Sequence, residues 1–127
     1  MSNFADVDDF LHKFQLKPCD PSSIRLMEKR GSHISEELRE FIEASVNKDL
    51  HGMVDALIDL VYVAYGTASM LGLSEEQWNE CFKRVHEANM NKYLDKDDKS
   101  HKVGVKKPLG WQAPNFEDIM KEIRNEG

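Results

Sequence analysis

A chain of 127 residues, 40% apolar and 31% charged, has room for one domain with a hydrophobic core and not for two. Its net charge of −6 speaks against a nucleic-acid partner, which needs a basic surface, but not against a phosphorylated ligand met through a metal ion. Cys19 and Cys81 lack the CxxC spacing of zinc sites and fit a reducing compartment, and the acidic start MSNFADVDDF lacks the basic and apolar regions of a signal peptide. No window is expected to reach the ~20 apolar residues of a membrane span, so the expectation is a cytoplasmic protein with no membrane partner.

In chain order, Asn3 is placed to cap a first helix to about Phe14, with Phe4, Val7, Phe10, Leu11 and Phe14 at helical spacing. Asp20-Pro21 is a restart signal for a second helical stretch, interrupted near Gly31-Ser32 and continuing from His33 to Val46. Its apolar stripe is Ile34, Leu38, Phe41 and Ile42. A third helix runs from about Leu50 to Leu71 and closes at Gly72. Ser74 and Gln77 have the spacing of a capping box for a fourth helix to about Tyr93, with Trp78, Cys81, Phe82 and Val85 inward. Residues 94–115 read as a polar, lysine-rich loop, followed by a short helix from about Phe116 to Arg124. The fold class is all-α and four-helix-bundle-like, in one domain over residues 1–127.

Five acids stand out on the two central helices: Glu36, Glu37 and Glu40 in SEELREF, and Asp55 and Asp59 in MVDALIDLVYVAYG. A carboxylate taken out of water is costly unless a positive charge meets it. On the second helix alone, a solvated face with i,i+4 pairs to nearby Lys29, Arg30 or Lys48 is the simpler reading. The third helix differs, being apolar nearly all round and carrying Asp55 and Asp59 in one line. No lysine or arginine occurs between Lys48 and Lys83 to pair with them locally, although a remote one could. Oxygen donors at helical spacing, without histidine or cysteine, suit Mg²⁺ or Mn²⁺.

At these residues the chain resembles the all-α nucleoside triphosphate pyrophosphohydrolase superfamily, which includes MazG-type enzymes, phosphoribosyl-ATP pyrophosphohydrolase and the dimeric dUTPases. Glu36, Glu37 and Glu40 match its EExxE motif. DALIDLVYVAYGTASMLGL is similar to the next helix of the phosphoribosyl-ATP pyrophosphohydrolase-like branch, often found in phages and bacteria. VHEANMNK, KPLGWQAPNFEDIM and DDFLHKF resemble further segments of that branch, in the same order. The chain departs from it at Gly52, where members carry a glutamate three residues before an aspartate; anchored on Asp59 instead, the missing acid falls on Ala56.

The resemblance implies a MazG-type fold, and the apolar surface of the third helix leads to the expectation of an oligomer, a homodimer or homotetramer. It implies metal-dependent cleavage of a (d)NTP substrate to the monophosphate and pyrophosphate. Glu37, Glu40, Asp55 and Asp59 are then the expected ligands of Mg²⁺, with Mn²⁺ as a substitute, and Glu36 the general base or an outer partner. Asn89, Lys92, Lys106 and Trp111 are the expected substrate contacts, with Lys102 and Lys107 in the same basic loop. Without the resemblance, Lys92 is a lysine favoured by a helix C-terminus. The alternatives are a phosphoribosyl-ATP pyrophosphohydrolase of histidine biosynthesis and a non-catalytic helical interaction module.

Overall fold

Ser2, one residue before the expected cap, accepts from the Ala5 amide at 3.1 Å and starts α1 (Asn3–Lys13). Phe4, Val7 and Leu11 form its buried face, while Phe10 and Phe14 are exposed. The computed structural model describes residues 2–97 and 104–126. Among them the chain forms five helices and one two-residue ladder, so the fold is all-α.

α2 (Ile24–Val46) runs unbroken through Gly31-Ser32, where the sequence suggested an interruption. An interior glycine costs a helix only about 1 kcal/mol, and the space where its Cβ would stand is open. Nothing there forces a break. Ser23 is the cap, accepting from the Leu26 amide at 3.1 Å, while Asp20 folds onto Ser22 in the preceding turn. α3 (Leu50–Met70) is capped by Asp49, which accepts from the Gly52 amide at 3.0 Å. It ends as expected, with Gly72 at φ 103°.

The chain divides into two compact units, Met1–Glu75 and Glu76–Gly127. In the first, α2 and α3 pack as a helical hairpin across the turn at 47–49, and α1 packs on α3. Three layers recur along the hairpin seam. Ala44 meets Gly52, Glu37 meets Asp59, and Arg30 meets Gly66. Seven residues separate successive layers on each helix, almost two full turns, so the same face returns to the seam.

This seam is not the one expected from the apolar pattern. Leu38 and Ile42 of α2 are about half exposed, at 48% and 51%, while Glu37 and Ala44 are buried. On α3 the side opposite the aspartates, with Leu50, Val54, Leu57 and Val61, is exposed too. α3 is therefore buried on one side and not all round. By length and composition it would also suffice to cross a membrane, with mean hydropathy 1.2 over 18 residues, against the expectation that no window would. Two aspartates near its middle and its packing on α1 and α2 are features of a core helix.

A polar clamp ties the middle of α1 and the segment after it to the end of α3. Ser69, 1% exposed, donates to Asp8 Oδ1 at 2.5 Å and accepts from Lys17 Nζ at 2.8 Å. Burial would raise the Asp8 carboxyl, but the Ser69 hydroxyl and Lys17 ammonium outweigh it and hold it below its usual 3.8. A serine this enclosed holds structure and is out of reach of a substrate.

The second unit contains α4 (Glu75–Met90), β1 (Tyr93–Leu94), β2 (Val105–Lys106) and α5 (Glu117–Glu126). β1 and β2 pair antiparallel, with Tyr93 opposite Lys106, inside the segment expected to be all loop. Cys81 is half-buried as expected, whereas Phe82 is 64% exposed and Val85 also lies on the surface, against the inward placement read from helical spacing. The tail is fastened to α4 by polar contacts. Arg84 grips both oxygens of Asp118 at 2.7 and 3.0 Å, and this hydrogen-bonded pair pulls the Asp118 carboxyl down to about 2.

Candidate metal centre

Glu37 occupies the middle layer of the hairpin seam and is 8% exposed. Its Oε1 lies 3.4 Å from His33 Nε2, one turn back on α2, while its buried Oε2 has no hydrogen-bond partner. Glu40 and Asp59 complete a triad whose ligand oxygens all fall within 4.8 Å of one another. Burial pushes the Glu37 carboxyl above its usual 4.5, and the hydrogen bond and charge of Glu40 and the charge of Asp59 push the same way. Asp59 is raised above its usual 3.8 by burial first, then by Asp55 and Glu40. His33 opposes both shifts. An orphaned buried oxygen among three crowded carboxylates fits a hard divalent cation, which would meet all three at once.

The sign of these shifts gives a testable pH dependence. A carboxyl whose native pKa is raised favours the fold below its unfolded value, and that contribution is lost as pH rises through the native value. Metal-free protein is therefore expected to melt at higher temperature as pH is lowered from neutrality toward the usual carboxylate range, as Glu37 and Asp59 take up protons above their usual values. Mg²⁺ should flatten this dependence by replacing the protons. Thermal melts over that range, with and without the ion, check both halves.

Not every expected residue joins the triad. Asp55 is exposed one turn before Asp59 and acts on it through its charge. Glu36 is exposed on α2, in a shallow groove with Arg25, Lys29 and His33. Asn89, Lys92, Lys106 and Trp111 belong to the second unit. There the Trp111 indole donates to the Ala88 carbonyl at 2.7 Å, which anchors the ring, and Lys92 and Lys107 lie 5.3 and 4.9 Å from its centre. Asn89 is exposed at the end of α4, and Lys106 is exposed on β2. Lys102 lies outside the described residues.

The sequence reading did not single out Arg30 or His33. His33 stands beside Glu37, and both line the groove that opens next to the triad with Asp59. The seven-residue steps Arg30–Glu37–Ala44 and Gly52–Asp59–Gly66 were the available signal, hidden because only one layer carries opposed acids.

The fold and site together define an all-α protein whose helical hairpin carries a carboxylate triad that could hold a cation. The chain belongs to the phosphoribosyl-ATP pyrophosphohydrolase family, whose model matches residues 6–89, about two thirds of its length. This family is part of the MazG-like all-α NTP pyrophosphohydrolase superfamily, metal-dependent hydrolases of acid anhydrides. A search among curated proteins found no significant match. In this setting Asp59 is the aspartate that joins Glu37 and Glu40. Three residues before Asp59 stands Ala56, which is buried.

Proposed function

We propose that the chain hydrolyses a nucleoside triphosphate, ribo or deoxy, to the monophosphate and pyrophosphate with Mg²⁺, or Mn²⁺ in its place. The observation that carries this reading is the Glu37–Glu40–Asp59 triad, built around the buried Glu37 and its unpartnered oxygen, in a member of this family. When bound, the ion would neutralise phosphate charge and lower the pKa of a water. Glu37, Glu40 and Asp59 would hold it, with Asp55 completing the set. Glu36, exposed and one turn from Glu40 on α2, is free to take a proton as general base or to orient an outer water. Asn89, Lys92, Lys106 and Trp111 are the proposed nucleotide contacts of the second unit. In this reading Lys92 supplies a point charge for a phosphate.

Phosphoribosyl-ATP belongs in the same assay, because the family takes its description from that substrate. Pyrophosphate release from a panel of ribo- and deoxynucleoside triphosphates and phosphoribosyl-ATP, with Mg²⁺, tests the proposal. Release from one or more triphosphates supports it, and release from phosphoribosyl-ATP alone assigns the histidine pathway. No release anywhere leaves a helical interaction module.

Metal binding has its own test. Mg²⁺ or Mn²⁺ should raise the melting temperature of the wild type, because an ion that binds only the folded state stabilises it. Asp59→Asn should lose most of that response. Equal responses would remove Asp59 from the ligand set.

The working form is proposed to be a cytoplasmic homodimer or homotetramer. Leu38, Ile42, Val54, Leu57 and Val61 leave an apolar outer surface on the hairpin that a second copy would cover. Light scattering at micromolar concentration should give at least twice the monomer mass of 14.6 kDa. A stable monomer would refute the assembly.

A further inference from the structure

The groove beside Glu37 and Asp59 has a volume of about 510 Å³, within the range of small-molecule sites. Val7, Phe10 and Leu11 of α1 line one wall, and Tyr62 of α3 meets Phe10 edge-on with ring centres 5.5 Å apart. Arg30 lines the same groove, two turns and so about 10 Å along α2 from Glu37. Glycine at position 66 leaves room for it, since a Cβ there would come within 2.8 Å of Arg30 Nη2 and push the guanidinium aside.

The guanidinium is fixed along one edge. Its Nε donates to Thr67 Oγ1 at 3.0 Å and its Nη2 to the Val63 carbonyl at 2.9 Å. Those two acceptors are neighbours, because the Thr67 hydroxyl itself donates to the Val63 carbonyl at 2.8 Å. Three of the five guanidinium N–H groups remain. Burial works against the charge of Arg30, and no carboxylate among the described residues offsets it. The result is a rigid, part-buried cation in a groove that holds acids two turns away, with its outer edge offering two parallel donors.

We propose that Arg30 reads the base of the bound nucleotide, selecting one that presents two adjacent hydrogen-bond acceptors, as guanine and cytosine do. The inference rests on the pyrophosphohydrolase reading, which puts the phosphates at the acidic triad and leaves the two-turn interval for sugar and base. Guanine offers O6 and N7 side by side, the pair that arginine accepts bidentately elsewhere. Cytosine offers O2 and N3. Adenine sets an amino donor beside its acceptors, and uracil and thymine set an N–H between theirs. Either would leave a donor facing a donor in a sheltered site, which is where hydrogen-bond discrimination is strongest.

The experiment measures binding of GMP, CMP, AMP and UMP by calorimetry with Mg²⁺, and turnover of the four triphosphates, for wild type, Arg30→Lys and Arg30→Gln. Wild type should favour guanine or cytosine over adenine and uracil by about ten- to a hundred-fold. Arg30→Lys keeps the charge but loses the fork, so the preference should collapse. Arg30→Gln should turn it toward adenine, whose N6 and N7 an amide matches. A wild type without preference, or variants that weaken all four bases equally, would make Arg30 a tie between helices and overturn the proposal. Base discrimination without hydrolysis would keep the role of Arg30 and remove the catalytic reading; hydrolysis without discrimination would do the reverse. If the Arg30 variants do not fold, Gly66→Ala displaces the guanidinium with the arginine retained. Its base preference should fall, and an unchanged preference overturns the proposal.

Discussion

Glu37→Gln and Glu40→Gln are each expected to abolish pyrophosphohydrolysis, with a loss of at least a hundred-fold in turnover, while helical content stays intact. The amide keeps the shape of the carboxylate and removes the charge that would hold a divalent ion. Glu37 is the more exacting case. Its Oε2 is buried without a partner, so an amide there also has to find acceptors for its N–H groups. The apo protein offers the contrasting readout. Removing one of three mutually repelling carboxylates relieves them, so metal-free Glu40→Gln should melt at or above the wild-type temperature and respond less to Mg²⁺. Lys92→Ala should separate from both, because its proposed partner is the nucleotide. Losing one charge-assisted contact costs about 1.5–3 kcal/mol, roughly ten- to a hundred-fold in kcat/KM, with metal binding in the absence of nucleotide nearly normal. Glutamate variants that turn over like the wild type would remove the metal-site reading.

Gly52→Glu is expected to destabilise the protein even though, in a register anchored on Asp55, it supplies the glutamate that the branch carries three residues earlier. Gly52 is where α3 starts beneath its own cap and against α2. A Cβ there would collide with the Asp49 carboxylate and stand 3.1 Å from the Ala44 Cβ. Displacing the cap costs about 0.5–2 kcal/mol, and overpacking the hairpin about 1–3 kcal/mol. Replacing an interior glycine returns less than about 1 kcal/mol. The net loss is about 0.5–5 kcal/mol, visible as a fall in melting temperature. A variant as stable as the wild type would show that the hairpin is looser at its turn than Ala44 and Gly52 indicate.

The helices were legible where local chemistry decides them. The apolar run and the glycine after it put α3 and its end at Gly72 close to their observed places. Gly31 misled because the cost of an exposed glycine is small beside the cooperativity of a 23-residue helix. The acids were legible as a cluster, but helical spacing could not rank Asp55 against Asp59. Only the hairpin register brings Asp59 to Glu37 and Glu40 and leaves Asp55 to one side.

The apolar stripes were harder, because a stripe says that a face is covered and not by what. Leu38 and Ile42 belong to the apolar stripe of α2, yet the seam is made of Ala44, Gly52, Glu37 and Asp59. Small residues let two backbones approach and carry little hydrophobic signal. Arg30 escaped notice for a related reason: its partners are a backbone carbonyl and a threonine hydroxyl, which leave no charge pattern in the sequence.

The measurement that bears most directly on the acidic triad is product analysis of triphosphate hydrolysis, with Mg²⁺ and after chelation by EDTA. The expected result is monophosphate and pyrophosphate in equal amounts, stopped by EDTA and absent in Asp59→Asn. Orthophosphate with a nucleoside diphosphate, or equal rates with and without the ion, would contradict it.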